Sequence, residues 1–167
     1  LNNEINALFI DDDITNDKPF IELGFWPGGD RDGNPFVTHD ITQKVANELR
    51  TSILKNYYNH LKIIRRRLTF KHITEPLEKL SDLIYHEMFA EKGSIQVEDI
   101  LTPLNEIRNT LIQKHNGIFL DILDDFIGRV RLFGLHFASL DIRQDSRVHQ
   151  KVIDTIVQHY TNHSTKD

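Results

Sequence analysis

The chain has 167 residues, 39% hydrophobic and 27% charged, the balance of a folded protein with room for one sizeable core. Its formal charge of −5 argues against a nucleic-acid binder, and its lack of cysteine excludes disulfides and thiolate metal sites. No apolar run approaches the roughly 20 residues needed to cross a bilayer, and no signal peptide is visible.

Leu1, Ile5, Leu8 and Ile10 suggest the tail of a helix, and Asp11-Asp12-Asp13 with Asn16-Asp17 a solvated linker. Three adjacent acids could instead bind a divalent ion. With Leu1 first and Met88 the only methionine, the chain reads as an excerpt of something longer. Pro19 to Trp26 has the length and composition of a buried strand, with proline at its start, where a missing amide is tolerated. Gly28-Gly29-Asp30-Arg31-Asp32-Gly33-Asn34-Pro35 follows. Three glycines among polar residues make a poor core element and a good strand-to-helix loop.

A helix beginning at Thr38 or Asp40 then runs to Leu68, because Ile41, Val45, Leu49, Ile53, Tyr57, Leu61, Ile64 and Leu68 recur every three or four residues. Arg65-Arg66-Arg67 in its last turns complements the carbonyl end of the helix dipole, a reading preferred to a phosphate or partner site. Thr74-Glu75-Pro76 starts the next helix, which Gly93-Ser94 breaks. A third runs from about Glu98 to His115, with Pro103 expected in its first turn, and Asn116-Gly117 ends it. A fourth carries Ile118 to Val130 toward a terminating Gly134.

Leu135 to Ile142 is the second strand candidate. Its alternation puts Leu135, Phe137, Ser139, Asp141 and Arg143 on one face, which turns polar only at the carboxyl end. Ser146 is placed to cap a last helix with Val152, Ile153, Ile156, Val157 and Tyr160 on its apolar side. The expected domains are 1–17 as the end of a preceding element and an acidic linker, 18–160 as one helical and barrel-like segment, and 161–167 as a frayed tail.

Two polar turns, the glycine loop and Asp141-Ile142-Arg143-Gln144-Asp145-Ser146, are expected to face one anionic site. Arg143 and Arg31 lead the candidates, since a guanidinium is a fixed fork of donors for phosphate or carboxylate oxygens. Each is flanked by acids, Asp30 and Asp32 or Asp141 and Asp145, so internal ion pairs that shape the loops are an equal alternative for Arg143 and the preferred one for Arg31. The loop matches neither a P-loop nor a dinucleotide fingerprint. His149, near Arg143, is a modest site candidate, and His136 is expected beneath a helix with its polar tip hydrogen-bonded. His159 and His163 have a metal-binding spacing but no third ligand, so a surface pair is the better reading.

Phe25-Trp26-Pro27-Gly28-Gly29-Asp30-Arg31-Asp32-Gly33-Asn34-Pro35 resembles the characteristic loop of phosphoenolpyruvate carboxylase, and Leu140-Asp141-Ile142-Arg143-Gln144-Asp145-Ser146 resembles a second segment of that family. The resemblance implies a mainly α fold with two or more short strands, an excerpt of a helix-rich β/α (TIM-like) barrel. It implies a cytoplasmic, usually homo-tetrameric parent enzyme that adds bicarbonate to phosphoenolpyruvate, giving oxaloacetate and phosphate, with Mg2+ or Mn2+. By the same resemblance Arg143 holds the substrate phosphate. Asp30, Arg31, Asp32 and Asn34 line or brace the mouth of the site, with Gln144 and His149 nearby. Val148-His149 departs from the family's arginine-histidine pair, Pro27 stands where methionine is frequent, and the family's Thr-Ala-His-Pro-Thr motif does not occur. The chain is therefore expected to be inactive without the rest of its polypeptide. The competing readings are a non-catalytic phosphate-binding module and a purely structural helical domain. No nucleic-acid or membrane partner is expected.

Overall fold

A computed structural model describes residues 21–90 and 93–163. The helix tail and acidic linker predicted before Pro19, the start of the first strand and the end of the frayed tail lie outside the described residues, as does the His163 side chain. The element order is β1 (Gly24–Phe25), α1 (His39–Arg67), α2 (Thr74–Glu87), α3 (Val97–His115), α4 (Leu120–Phe133), β2 (Ser139–Leu140) and α5 (Ser146–His163). No described helix is long and apolar enough to cross a membrane.

Helices α1 to α4 close into a four-membered ring, in which α1 packs on α2, α2 on α3, α3 on α4 and α4 back on α1. Their predicted stripes meet inside it, as Leu54, Tyr57, Leu61, Ile73, Leu77, Ile84, Ile100, Leu104, Ile107, Leu123, Phe126 and Val130 are buried. The middle of α1 is joined to the end of α4 by the Tyr57 hydroxyl, which donates to the Gly134 carbonyl at 2.7 Å. Burial pushes that hydroxyl's pKa up. Asp124 binds the Arg108 guanidinium through both oxygens, at 2.7 and 3.2 Å, tying α3 to α4.

Helix α1 is twice the length of α2, 29 residues against 14. At about 1.5 Å per residue its first half must project beyond the bundle. There the predicted stripe is no longer buried, and Ile41 is exposed. The boundary is marked by Arg50, which pairs with the buried Glu87 at the end of α2. Glu87 also accepts hydrogen bonds from the Ser94 amide at 2.8 Å and the Ser94 hydroxyl at 3.0 Å.

Three helix details differ from expectation by simple local chemistry. Helix α3 starts at Val97, one residue early, because Gln96 and Asp99 form a reciprocal capping box. Pro103 is its seventh residue, in the second turn, where its missing amide removes one helical hydrogen bond. In α5 the cap is Asp145, whose carboxylate accepts from the Arg147 amide at 2.8 Å, and Ser146 is already helical.

The strands are shorter than predicted. β1 and β2 pair in parallel, Gly24 opposite Ser139 and Phe25 opposite Leu140. A parallel pair needs a crossover, and here the crossover is the whole helical ring. The stretch predicted as a buried strand is not buried, since Ile21 and Trp26 are 58% and 60% exposed. Among the described residues the sheet has two strands only, too few to shield its own faces. The alternation predicted from Leu135 fails at Phe137, which is exposed with a backbone φ of 67°. His136, expected beneath a helix, is exposed; partial desolvation and the nearby Arg50 charge lower its pKa.

Candidate functional site

The two polar turns meet. Both follow the carboxyl ends of the paired strands, and the pairing continues past the strands into the turns. The Asp141 amide donates to the Phe25 carbonyl at 2.8 Å, the Arg143 amide to the Gly29 carbonyl at 2.9 Å, and the Arg31 amide to the Arg143 carbonyl at 2.9 Å. Asp30 and Arg143, 113 positions apart in the sequence (143 − 30 = 113), thus form a parallel bridge.

Glycine makes this approach possible at two points. A Cβ at Gly29 would overlap the Asp141 carbonyl oxygen, and Gly28 has a φ of 82° with Val45 directly behind it. The loop therefore lies backbone against backbone on one side and against α1 on the other.

The side chains divide by role. Arg143 keeps its side chain 62% exposed, with Nη1 paired to the Asp30 carboxylate at 3.6 Å, longer than a hydrogen bond. Arg31 turns inward, where its Nη2 donates to the Thr42 hydroxyl at 2.8 Å and its Nε is buried without a partner among the described residues. Asp30 accepts from the Asp32 amide at 3.3 Å, and Asn34 accepts from the Phe36 amide at 3.1 Å, so both carboxyl and amide side chains shape the bend locally. Asp32 and Asn34 are otherwise exposed.

On the second turn, the Gln144 side-chain oxygen accepts from the Asp145 amide at 3.0 Å. Asp145 is held by the Arg147 guanidinium, with a closest approach of 2.6 Å. Hydrogen bonds from that guanidinium and from the Arg147 amide lower the carboxyl pKa of Asp145. His149 is exposed in the first turn of α5. The fold thus joins Asp30, Arg31 and Arg143 directly, sets Gln144 beside them in the chain, and leaves Asp32, Asn34 and His149 at the rim.

Thr42 was missed by sequence reasoning. It is buried although Ile41, Gln43 and Lys44 around it are exposed. Its signal was a hydroxyl in the first turn of a helix directly after a glycine-rich loop, a place where such groups reach loop backbone. The Arg50–Glu87 pair had no local signal, since its members are 37 residues apart.

Two clefts flank the strands and Arg143 lines neither. One of about 740 Å³ lies among Ile21, Leu23, Leu49, Val97 and the Gly134–Leu140 segment. The other, about 330 Å³, lies behind the glycine loop against Val37, Ile41 and Val45. Among the described residues no three His, Asp or Glu side chains gather as a metal site. The divalent cation implied by the resemblance therefore finds no donor set on the described part of this chain.

A family model described as phosphoenolpyruvate carboxylase matches residues 1–93 and 74–166. A phosphoenolpyruvate carboxylase of Histophilus somni is 31% identical over 173 residues, covering 83% of this chain and 19% of that protein. One of Shewanella loihica is 30% identical over 180 residues, covering 87% and 20%. Phosphoenolpyruvate carboxylase 3 of Arabidopsis thaliana is 28% identical over 201 residues, covering 90% and 21%. The chain spans about a fifth of the length of these curated relatives. With all but its final residue inside the two family matches, the chain belongs to the phosphoenolpyruvate carboxylase family.

Proposed function

We propose that this chain is the segment of a phosphoenolpyruvate carboxylase that grips the phosphate of phosphoenolpyruvate, with Arg143 as the grip. The parent enzyme joins bicarbonate to that substrate and releases oxaloacetate and phosphate. Asp30, Arg31, Asp32 and Asn34 line or brace the mouth, and Gln144 and His149 stand at its edge. The observation that carries the reading is the bridge between Asp30 and Arg143, which leaves the Arg143 side chain 62% exposed beside the glycine loop.

An exposed guanidinium is a free fork for a dianionic group and stays charged at any relevant pH. Asp145 is engaged by Arg147, while Asp30 stays charged and pairs with Arg143 at 3.6 Å, an exposed pair worth at most about 1 kcal/mol that a phosphate dianion would have to outcompete. Both bends lie beyond the carboxyl ends of parallel strands, where β/α barrels carry their sites. The strand pair is accordingly read as two staves of such a barrel, completed by the rest of the polypeptide. The reading further takes the parent as a cytoplasmic homo-tetramer that uses Mg2+ or Mn2+, with the metal held outside the described residues of this chain. This segment alone is inactive in the reading.

The test is Arg143→Ala in the full-length carboxylase. Loss of charged hydrogen bonds worth about 2 kcal/mol raises KM for phosphoenolpyruvate roughly 30-fold, with little change for bicarbonate. Equal loss for both substrates overturns the assignment.

A further inference from the structure

We propose that Thr42 is a positioning residue that sets where Arg143 stands, acting through Gly28 and Arg31; this rests on the reading of Arg143 as the phosphate grip. The Thr42 side chain is buried in the half of α1 that projects beyond the bundle, so packing in the main core does not account for it. Its Oγ1 lies 2.7 Å from the Gly28 carbonyl, 2.8 Å from Arg31 Nη2 and 3.2 Å from the Thr38 carbonyl. A hydroxyl has one proton to give and two lone pairs. The shortest acceptor takes that proton, so Thr42 donates to Gly28 and accepts from Arg31. One side chain thereby holds both ends of the Gly28–Arg31 span.

The other side of the same span carries Arg143. The Gly29 carbonyl and the Arg31 amide hold the Arg143 amide and carbonyl, each at 2.9 Å. There is no slack between the two sides, because Gly29 lies so close to the Asp141 carbonyl that even a methyl group would overlap it. A shift of Gly28 or Arg31 against α1 must therefore move the Arg143 backbone. The Nε of Arg31, buried and without a partner among the described residues, adds to the case. That side chain is committed to the interior at some cost, and the Thr42 hydroxyl is what it reaches.

A threonine that merely bonds the carbonyl four residues back would make no such link. The experiment separates the two in the full-length carboxylase carrying this chain, using Thr42→Val, Thr42→Ser, Arg143→Ala and the Thr42→Val/Arg143→Ala pair. Thr42→Val is expected to raise KM for phosphoenolpyruvate about tenfold with KM for bicarbonate unchanged. Thr42→Ser, which keeps the hydroxyl, recovers most of that loss. In the Arg143→Ala background Thr42→Val adds nothing further, since the group it positions is gone. Should Thr42→Val fail to fold, Arg31→Lys carries the same test, keeping the charge without the fork.

An Arg143→Ala effect without a Thr42→Val effect, or effects that multiply in the double variant, overturns this inference alone. An unchanged KM in Arg143→Ala overturns the phosphate-grip reading and this inference with it.

Discussion

Arg31 and Arg143 are the same residue type on facing bends, each between acids, yet their side chains point to opposite fates. One is committed to a threonine on α1, while the other stands mostly in solvent beside Asp30. Residue type and flanking charge were legible in the sequence and did mark both arginines. Direction was not legible, because it depends on which backbone passes behind each bend. Gly29 shows how tight that passage is. Its place in the loop marked it as a turn residue, but its actual constraint is the Asp141 carbonyl, which lies 112 residues later (141 − 29 = 112). Gly29→Ala should therefore separate the two bends while leaving the helical core intact. The amides of Arg31 and Arg143, which form the bridge, are expected to exchange hydrogen roughly tenfold faster for the loss of about one hydrogen bond each. Hydrogen exchange read residue by residue checks this, and unchanged protection at both amides would count against the close approach.

At the scale of elements, α1 is a helix with two environments, and Arg50 stands where they change. Its partner Glu87 is 6% exposed. Burial alone would raise the glutamate pKa, but hydrogen bonds from Arg50 and Ser94 outweigh it and the pKa is lowered. A carboxyl with a depressed folded-state pKa contributes its full stability above the unfolded pKa and loses it as pH falls through the folded value. Stability of the wild-type chain should thus fall as pH drops below the ordinary glutamate range. Glu87→Gln should cost about 2 kcal/mol at neutral pH by leaving the half-buried Arg50 without its counter-charge, and its melting temperature should depend less on acid pH. Parallel pH dependences in thermal unfolding of the two proteins would refute the assignment. The helices were legible because the apolar repeat of 3.6 residues reports one buried face directly, and most of their ends fell close to expectation, but α2 stops at Glu87 rather than at Gly93-Ser94. What the repeat cannot report is the covering neighbour. The apolar side of α5, with Val152, Ile153, Ile156 and Val157, has the same periodicity as the core helices and is exposed. The strands were harder still, since Leu135 to Ile142 has the right composition but Phe137 turns out of the extended conformation.

For the whole molecule, the helical ring and the strand pair differ in self-sufficiency. The ring buries its apolar stripes within itself, while the strands, the glycine loop and α5 leave Ile21, Trp26, Phe36 and Val157 in solvent. A chain spanning about a fifth of its relatives is expected to hold one coherent core and part of a shared site, and the division here runs along that line. The proposed reaction needs more than the bends supply. An arginine can hold a phosphate, but carboxylation also requires stabilisation of an enolate and a group that moves protons. At the bends, the carboxyl of Asp145 has its pKa lowered by Arg147, which makes it a weaker base. The Thr-Ala-His-Pro-Thr motif that would bring a histidine is absent from the sequence. The purified 167-residue chain, shown to be helical by circular dichroism, should therefore yield no oxaloacetate above background in an assay coupled to NADH oxidation by malate dehydrogenase. Turnover above background by this chain would mean that catalytic groups lie within it, and the division of labour between the bends and the rest of the polypeptide would have to be abandoned.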